Sequence, residues 1–249
     1  MSLLVVEEVS RAFSGLLAVN AVSMRIEAGE LRAVIGPNGA GKTTFFNVIS
    51  GFIAPSSGRI TFDGEDITHL DARPRIRRGI ARTFQITEIF PELTVRENLR
   101  IPVELASGLA LRPWLSRADA LAINRRIDEL LDSIGLAGKA DRLVGELSNG
   151  DQRATEIMMA LALRPRLLLL DEPTAGMGDQ ETFDMTRLVR KLHNDHKISI
   201  ILIEHDMRVV FNLADRITVL AEGTLLAEGT PAEIADNDEV QAAYLGSAA

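Results

Sequence analysis

A glycine-rich segment between an apolar run and a helical stretch constrains this 249-residue chain more than any other feature. Residues 36–43, Gly-Pro-Asn-Gly-Ala-Gly-Lys-Thr, match the pattern G-x-x-x-x-G-K-[ST]. A strand is predicted before the segment, over residues 31–35, and a helix after it, over about residues 42–50. Glycines let backbone amides approach phosphate oxygens without Cβ clashes, and the helix N-terminus adds a favourable dipole. The pattern therefore predicts a phosphate-binding loop in which Lys42 reaches the β- and γ-phosphates and Thr43 binds Mg²⁺.

A second apolar run ends in two carboxylates. Residues 166–170 are predicted to form a buried strand, and Asp171 and Glu172 follow it directly. Since α/β sheets place their ligands at the carboxyl ends of the strands, both side chains are expected beside the phosphate-binding loop. Asp171 is predicted to hold Mg²⁺ through water, and Glu172 to orient or deprotonate the water that attacks the γ-phosphate. The alternative for this pair is a helix N-cap after a strand.

Two further polar residues have weaker local support. His205 follows a strand predicted over residues 198–203, and from there it could bond the γ-phosphate. A lone histidine at a strand end is more often structural, so that alternative stays open. Gln85 ends the segment Ala-Arg-Thr-Phe-Gln at residues 81–85, and its alternative is a solvated loop amide.

The alternation of strands and helices is interrupted by a helical stretch over about residues 93–163. Within it, apolar residues repeat at helical spacing before the stop signal Gly135, as Ile123, Ile127, Leu130 and Ile134. Further strands are predicted over residues 3–13, 21–26, 59–62, 216–220 and 224–227, and helices over about 180–194 and 207–213. The pattern predicts one domain over residues 1–249, with an α/β core at 1–92 and 164–249 and a helical subdomain at 93–163.

Composition excludes several classes of protein. The formal net charge of −8 and the sequence pI of about 5.1 argue against a nucleic-acid binder, which needs a basic face. The absence of cysteine excludes a disulfide framework and a thiolate metal site. No run approaches the roughly 18 apolar residues of a membrane span, and the first residues are not expected to form a secretory signal.

Taken together, the motifs resemble those of the ATP-binding subunits of ABC transporters, over nearly the whole chain. The phosphate-binding loop, Gln85, a signature-like Leu-Ser-Asn-Gly-Asp at residues 147–151, the acidic pair and His205 occur in the family's order. The signature separates this family from other phosphate-loop ATPases. Its place at a helix start would let Ser148 and the amides from Gly150 onward meet a phosphate, although Ser148 alone also suits a simple cap.

The resemblance implies a phosphate-loop, RecA-like core with an antiparallel β-subdomain, and ATP and Mg²⁺ as ligands. It implies a head-to-tail dimer in which ATP lies between the Lys42 region of one chain and the Ser148 region of the other. Gln85 would ligate Mg²⁺ and sense the γ-phosphate and the membrane subunit. Phe13 holds the position of the aromatic residue that stacks on adenine, with an ordinary strand aromatic as the alternative. The loop residues expected at the nucleotide are Asn38, Gly39, Ala40, Gly41, Lys42, Thr43 and Thr44.

The chain departs from the family pattern in two places. The usual signature is L-S-G-G-Q, and here Asn149 and Asp151 replace the second glycine and the glutamine. Asp151 adds a negative charge near the expected phosphate. The loop after the catalytic glutamate usually ends in Leu-Asp, but the aspartate position is Gly178, followed by Asp179.

Within the family, residues 81–85, 175–177 and 244–246 resemble the ATPases of branched-chain amino acid importers. That resemblance implies integral-membrane permeases, a second ATPase subunit that is identical or related, and indirectly a periplasmic substrate-binding protein. It places the chain peripherally on the cytoplasmic face of the bacterial inner membrane. Two alternatives remain, an export ATPase of the lipopolysaccharide type and a soluble ABC ATPase that serves translation or DNA repair. The soluble class usually carries two nucleotide domains or a long coiled coil.

A basic cluster precedes Gln85 in this otherwise acidic chain. A solvated face is the default interpretation. The alternative is a docking surface for a permease helix or anionic lipid headgroups. The members of the cluster are Arg73, Arg75, Arg77, Arg78 and Arg82.

Overall fold

The computed structural model describes residues 2–83, 89–110, 112 and 114–245. The strands are β1 (Ser2–Phe13), β2 (Leu16–Glu27), β3 (Leu31–Ile35), β4 (Ser57–Phe62), β5 (Glu65–Asp66), β6 (Ile80–Arg82), β7 (Leu167–Asp171), β8 (Ser199–Ile203), β9 (Arg216–Ala221) and β10 (Thr224–Gly229). The helices are α1 (Lys42–Ser50), α2 (Ala72–Arg77), α3 (Val95–Ala106), α4 (Arg117–Ser133), α5 (Asn149–Ala162), α6 (Asp179–His196), α7 (Met207–Leu213), α8 (Pro231–Ala235) and α9 (Asp238–Leu245).

The larger sheet has the order β10-β9-β3-β8-β7-β6, and all its pairs except the antiparallel β10–β9 pair are parallel. Every residue of β3, β7 and β8 is buried, which explains why apolar residues predominate in these strands, with Arg32 and Ser199 as polar exceptions in β3 and β8. β8 lies between β3 and β7, so the segments that follow these three strands meet at one edge of the sheet. Those segments are the phosphate-binding loop, Glu172 and the residues around His205.

The smaller sheet is antiparallel, with the order β2-β1-β4-β5. Its apolar face and α1 share one hydrophobic cluster, which also contains residues of β7 and β8. Phe45 and Phe46 of α1 are fully buried there. Burial of an aromatic side chain of this size stabilises by about 1.5–3 kcal/mol, so both rings help to fix α1, and the loop before it, between the sheets.

Residues 93–163 are largely helical, as their spacing predicts. α4 buries Ile123, Ile127 and Leu130 against the core cluster that also includes α3 and α5. The helix ends at Ser133, before Ile134, because Gly135 follows with a φ of 70°. Two short 3₁₀ turns, Ala137–Lys139 and Val144–Glu146, connect α4 to α5. Within the described part of the chain, no helix is both long and apolar enough to cross a bilayer.

The interpretation of the arginine cluster as a solvated face is wrong for Arg75. Its guanidinium is 1% exposed and donates to the carbonyls of Val48 and Ile49, at 2.8 and 2.7 Å, at the carboxyl end of α1. Carbonyls at a helix end lack intrahelical partners, and Arg75 supplies them. Burial lowers the pKa of Arg75 to about 10. Arg73 and Arg77 are exposed, as expected for a solvated face.

Candidate functional site

The backbone of the phosphate-binding loop requires glycine at two positions where neighbouring strands come close. A Cβ on Gly36, whose φ is 150°, would lie 2.1 Å from the Leu220 carbonyl oxygen. A Cβ on Gly41, whose φ is 91°, would lie 2.2 Å from the Ala18 carbonyl oxygen. Gly41 also caps α1, and no side chain among the described residues caps that helix end. The first amides of α1 are therefore available to an anion.

Lys42 lies folded over this loop. Its Nζ donates to the carbonyl oxygens of Gly36 and Pro37 at 2.7 and 3.0 Å, and the residue is only 6% exposed. Burial lowers the pKa of Lys42, while the negative charges of Glu172 and Asp171 act in the opposite direction. A phosphate group would offer the ammonium stronger, charge-assisted partners than the two carbonyls.

The other predicted loop residues differ in accessibility. Asn38, Gly39 and Thr43 are exposed, Thr44 is half-buried and Ala40 is buried. Thr43, the predicted Mg²⁺ ligand, is therefore accessible from solvent.

Asp171 ends β7 and is 1% exposed. Its Oδ2 accepts from Arg82 at 2.8 Å, and its backbone oxygen accepts from Arg153. Its Oδ1 is buried and has no hydrogen-bond partner among the described residues. A buried acceptor without a partner costs about 1–3 kcal/mol, and a hard cation or its water shell would satisfy it. Asp171 and the Thr43 hydroxyl together supply oxygen donors that suit Mg²⁺.

Glu172 and His205 are in contact, as the sheet order predicts. Glu172 Oε1 lies 2.9 Å from His205 Nε2, and the Glu172 amide donates to the Ile203 carbonyl at 3.0 Å. Glu172 has a φ of 47°, an uncommon conformation for a residue with a Cβ, and such strain clusters at functional sites. The side chains are 17% and 45% exposed, so solvent reaches the pair.

Sequence reasoning missed Glu204, the residue before His205. It is 4% exposed, and its Oε1 accepts from the Thr174 amide and hydroxyl at 3.0 and 2.6 Å. Its Oε2 accepts from the His205 amide at 3.1 Å. Glu204 therefore ties the turn after Glu172 to the turn that carries His205. A carboxylate directly after the apolar run at residues 200–203 was the sequence feature that could have revealed it.

In the signature segment, the groups expected to meet a phosphate already have hydrogen-bond partners within the chain. Ser148 caps α5, and its Oγ accepts from the Asp151 amide at 3.3 Å. The Gly150 amide donates to Glu181 in a long hydrogen bond of 3.4 Å. Asp151 Oδ2 lies 2.5 Å from Lys139 Nζ, so the extra negative charge in the signature has a cationic partner.

Ser148 and Gly150 are not brought to the phosphate-binding loop of their own chain. They line a concavity of about 190 Å³ together with Ile134, which follows α4, and with residues of α5 and α6, and no phosphate-loop residue is among its lining residues.

The remaining predicted residues lie at the edges of the site. Phe13 ends β1, is 39% exposed and has the Arg11 guanidinium 4.6 Å from its ring centroid. Gln85 lies outside the described residues. Tyr244 lies on α9. It reaches the phosphate-binding loop through a hydrogen bond with the Gly36 backbone, which opposes the rise in the Tyr244 pKa caused by burial.

Two sequence families match the chain. The family described as ABC transporter matches residues 19–175. The family described as branched-chain amino acid ATP-binding cassette transporter matches residues 224–249.

Individual relatives match almost end to end. The high-affinity branched-chain amino acid transport ATP-binding protein BraF of Pseudomonas aeruginosa is 41% identical over 99% of this chain and 98% of its own. The LivG protein of the same description from Escherichia coli K12 is 42% identical with the same coverage. The lipopolysaccharide export system ATP-binding protein LptB of Escherichia coli K12 is less similar, at 34% identity over 99% of this chain and 98% of its own.

Solved structures confirm the predicted fold class. The ADP conformation of MJ1267, an ATP-binding cassette of an ABC transporter, superposes with a TM-score of 0.86 at 29% identity, over 99% of each chain. The dimeric bacterial ABC transporter cassette MJ0796 superposes with a TM-score of 0.77 at 26% identity, over 92% of this chain and 98% of that one. The family predicted from the motifs is therefore confirmed, and the chain belongs to the ATP-binding proteins of ABC transporters.

Proposed function

We propose that this chain binds ATP with Mg²⁺ and hydrolyses it to ADP and phosphate, to drive uptake of branched-chain or other hydrophobic amino acids or related amides. The observation that carries the hydrolytic part is the 2.9 Å contact between Glu172 and His205, beside the unsatisfied Oδ1 of Asp171 and the phosphate-binding loop. A carboxylate, a cation site and a lysine over a phosphate loop are the parts that phosphoryl transfer to water requires.

Each group has a task in this proposal. The loop amides and Lys42 bind the β- and γ-phosphates, and Thr43 and Asp171 hold the metal. When bound, Mg²⁺ neutralises charge that develops between the β- and γ-phosphates. Glu172 orients the attacking water and accepts its proton, and His205 turns from Glu172 to hydrogen-bond the γ-phosphate. Gln85 acts as a metal ligand and reads the γ-phosphate.

A second nucleotide-binding chain completes the site. Ser148 and Gly150 of one copy would face the phosphate-binding loop of the other, which fits their separation from the loop within one chain. The Gly150 amide would then exchange its long bond to Glu181 for a γ-phosphate oxygen. Phe13 would stack on adenine, with Arg11 against the ring. The dimeric cassette among the solved structures has the same general fold.

The transport assignment follows the relatives. Both amino acid transport proteins cover nearly the whole chain at higher identity than LptB, and the branched-chain family matches residues 224–249. We therefore favour import over lipopolysaccharide export. The chain would sit peripherally on the cytoplasmic face of the bacterial inner membrane, against permease subunits that receive substrate from a periplasmic binding protein.

Substitution of the proposed base tests the hydrolytic role. In Glu172→Gln, ATP affinity should stay near wild type, because the residue faces the attacking water, while phosphate release should fall about 10²–10⁴-fold. Fluorescent-ATP binding and phosphate release, measured on the same preparations, separate the two quantities. Turnover of Glu172→Gln near the wild-type rate would remove Glu172 from its role.

A further inference from the structure

Arg82 forms an ion pair with the carboxylate proposed to hold Mg²⁺. Arg82 ends β6 and Asp171 ends the neighbouring β7, and Arg82 Nη2 donates to Asp171 Oδ2 at 2.8 Å. The side chains are 5% and 1% exposed, so the pair is shielded from water. The interpretation of Arg82 as part of a solvated basic face is therefore wrong. The guanidinium is buried because it forms an ion pair with a buried carboxylate, which requires a cationic partner.

The guanidinium is held from several directions. Its Nη1 donates to Asn47 Oδ1 at 2.6 Å and to Ser50 Oγ at 3.0 Å, both on α1. The rings of Phe46 and Phe52 lie 5.7 and 5.8 Å from the guanidinium carbon. Arginine's planar fork allows all these contacts at once. Since α1 follows the phosphate-binding loop, Arg82 bridges the loop's helix and the acidic strand end.

We propose that Arg82 is a positioning residue for the metal site, which fixes the Asp171 carboxylate by one oxygen and leaves the other for Mg²⁺ or its water. The inference rests on the proposed function. Asp171 Oδ2 is used by Arg82, while Oδ1 has no hydrogen-bond partner among the described residues. Partners that hydrogen-bond a ligating carboxylate typically contribute about 10–100-fold to metal affinity.

Arg82 has two opposing effects on a bound cation. Its positive charge repels the metal, and its hydrogen bonds orient the ligand that attracts it. Arg82→Lys separates them, because lysine keeps the charge but lacks the fork that binds Asp171 and Asn47 together. Arg82→Lys also leaves Asp171 with a neighbouring cation, so the variant avoids the cost of an unpaired buried charge.

The experiment measures Mn²⁺ affinity by electron paramagnetic resonance, in complexes with a non-hydrolysable ATP analogue. We expect Mn²⁺ to bind about tenfold more weakly to Arg82→Lys than to wild type. Affinity for the analogue in EDTA should not change, because the phosphate-binding loop is intact. Arg78→Lys is the matched control, since Arg78 pairs with Glu65 at the surface and should keep wild-type Mn²⁺ affinity.

A second variant guards against a folding defect in the first. Asn47→Ala removes the 2.6 Å partner of Arg82 while the ion pair remains, and should weaken Mn²⁺ binding in the same direction by a smaller factor. Wild-type Mn²⁺ affinity in folded Arg82→Lys, or in Asn47→Ala if the lysine variant does not fold, overturns the inference. Failure of the wild-type chain to bind the analogue in EDTA would instead overturn the proposed function.

Discussion

Glu204 joins the two turns of the candidate catalytic site, because its carboxylate accepts from Thr174 with one oxygen and from the His205 amide with the other. The first turn follows Glu172, and the second carries the imidazole that contacts Glu172. A buried carboxylate thus fixes the position of the proposed base relative to its histidine, through contacts with the protein alone.

Glu204→Gln should lower both stability and turnover. The amide has the same size, but its NH₂ group must face a donor of Thr174 or His205, which costs about 1–3 kcal/mol in free energy of unfolding. We expect kcat to fall while KM for ATP changes little, because phosphate binding uses the loop. Urea unfolding and steady-state ATPase assays check this. A lowered stability with unchanged kcat would make Glu204 a structural residue only.

The two loop glycines Gly36 and Gly39 should respond differently to alanine. Both have positive φ, so each substitution costs about 1–2 kcal/mol in backbone strain. A Cβ on Gly36 also collides with the Leu220 carbonyl, whereas a Cβ on Gly39 meets no atom within 4 Å. Gly36→Ala should therefore have the lower melting temperature and bind ATP poorly. Equal melting temperatures would contradict the loop geometry.

The ion pair between Lys139 and Asp151 should affect ATP binding at the signature rather than the stability of the fold. The two side chains are 42% and 22% exposed, and ion pairs at the surface contribute about 0.2–1 kcal/mol to stability, so Lys139→Met should unfold near the wild-type midpoint. The uncompensated Asp151 charge should then repel ATP at the signature, by about 1 kcal/mol for unit charges about 4 Å apart in water.

A charge-neutral pair provides the control for this prediction. Lys139→Met/Asp151→Gln should recover the wild-type KM for ATP, because the double variant restores neutrality at the signature. Steady-state ATPase titrations of both variants measure the effect. An equally raised KM in the double variant would assign the defect to Lys139 itself.

ATP binding should take up a proton at alkaline pH. In the folded chain, burial lowers the pKa of Lys42 below its ordinary value of 10.5. Between the lowered value and 10.5, the folded state therefore binds fewer protons than the unfolded state. In that window the free energy of unfolding rises with pH. The destabilisation caused by burying the charged Lys42 is fully present at pH values below the window. The negative charge of the bound phosphates stabilises the ammonium form, so Lys42 takes up a proton when ATP binds.

Calorimetry in buffers of different ionisation enthalpy measures this uptake. We expect uptake in the window below 10.5 and none well below the lowered pKa, where Lys42 is already charged. Lys42→Arg should abolish the uptake in that window, because arginine stays protonated there. Uptake that persists in Lys42→Arg would assign the proton to another group.

The elements that position the site were predictable from sequence. β3, α1 and α7 have the predicted bounds, because apolar runs and glycine or polar boundaries mark their ends locally. The short elements α2 and β6 were missed, since neither is long enough to establish a period.

The supporting contacts of the site depended on tertiary packing. Arg75 and Arg82 look like solvated charges in any local window. Their partners, and the Thr174 partner of Glu204, lie far away in the sequence. The ion pair of Asp151 was missed for the same reason, because its partner Lys139 lies on a separate turn before α5. Sequence therefore located the groups proposed to carry the chemistry but not those that hold them in place.

The central claim is that two copies of this fold close over ATP, with Ser148 of one facing Lys42 of the other. Light-scattering mass of Glu172→Gln, with and without Mg²⁺ and ATP, tests it most directly. We predict a dimer only with nucleotide, and a monomer under both conditions when Ser148→Arg is added. A Glu172→Gln chain that binds ATP and stays monomeric would contradict the claim that a second copy completes the site.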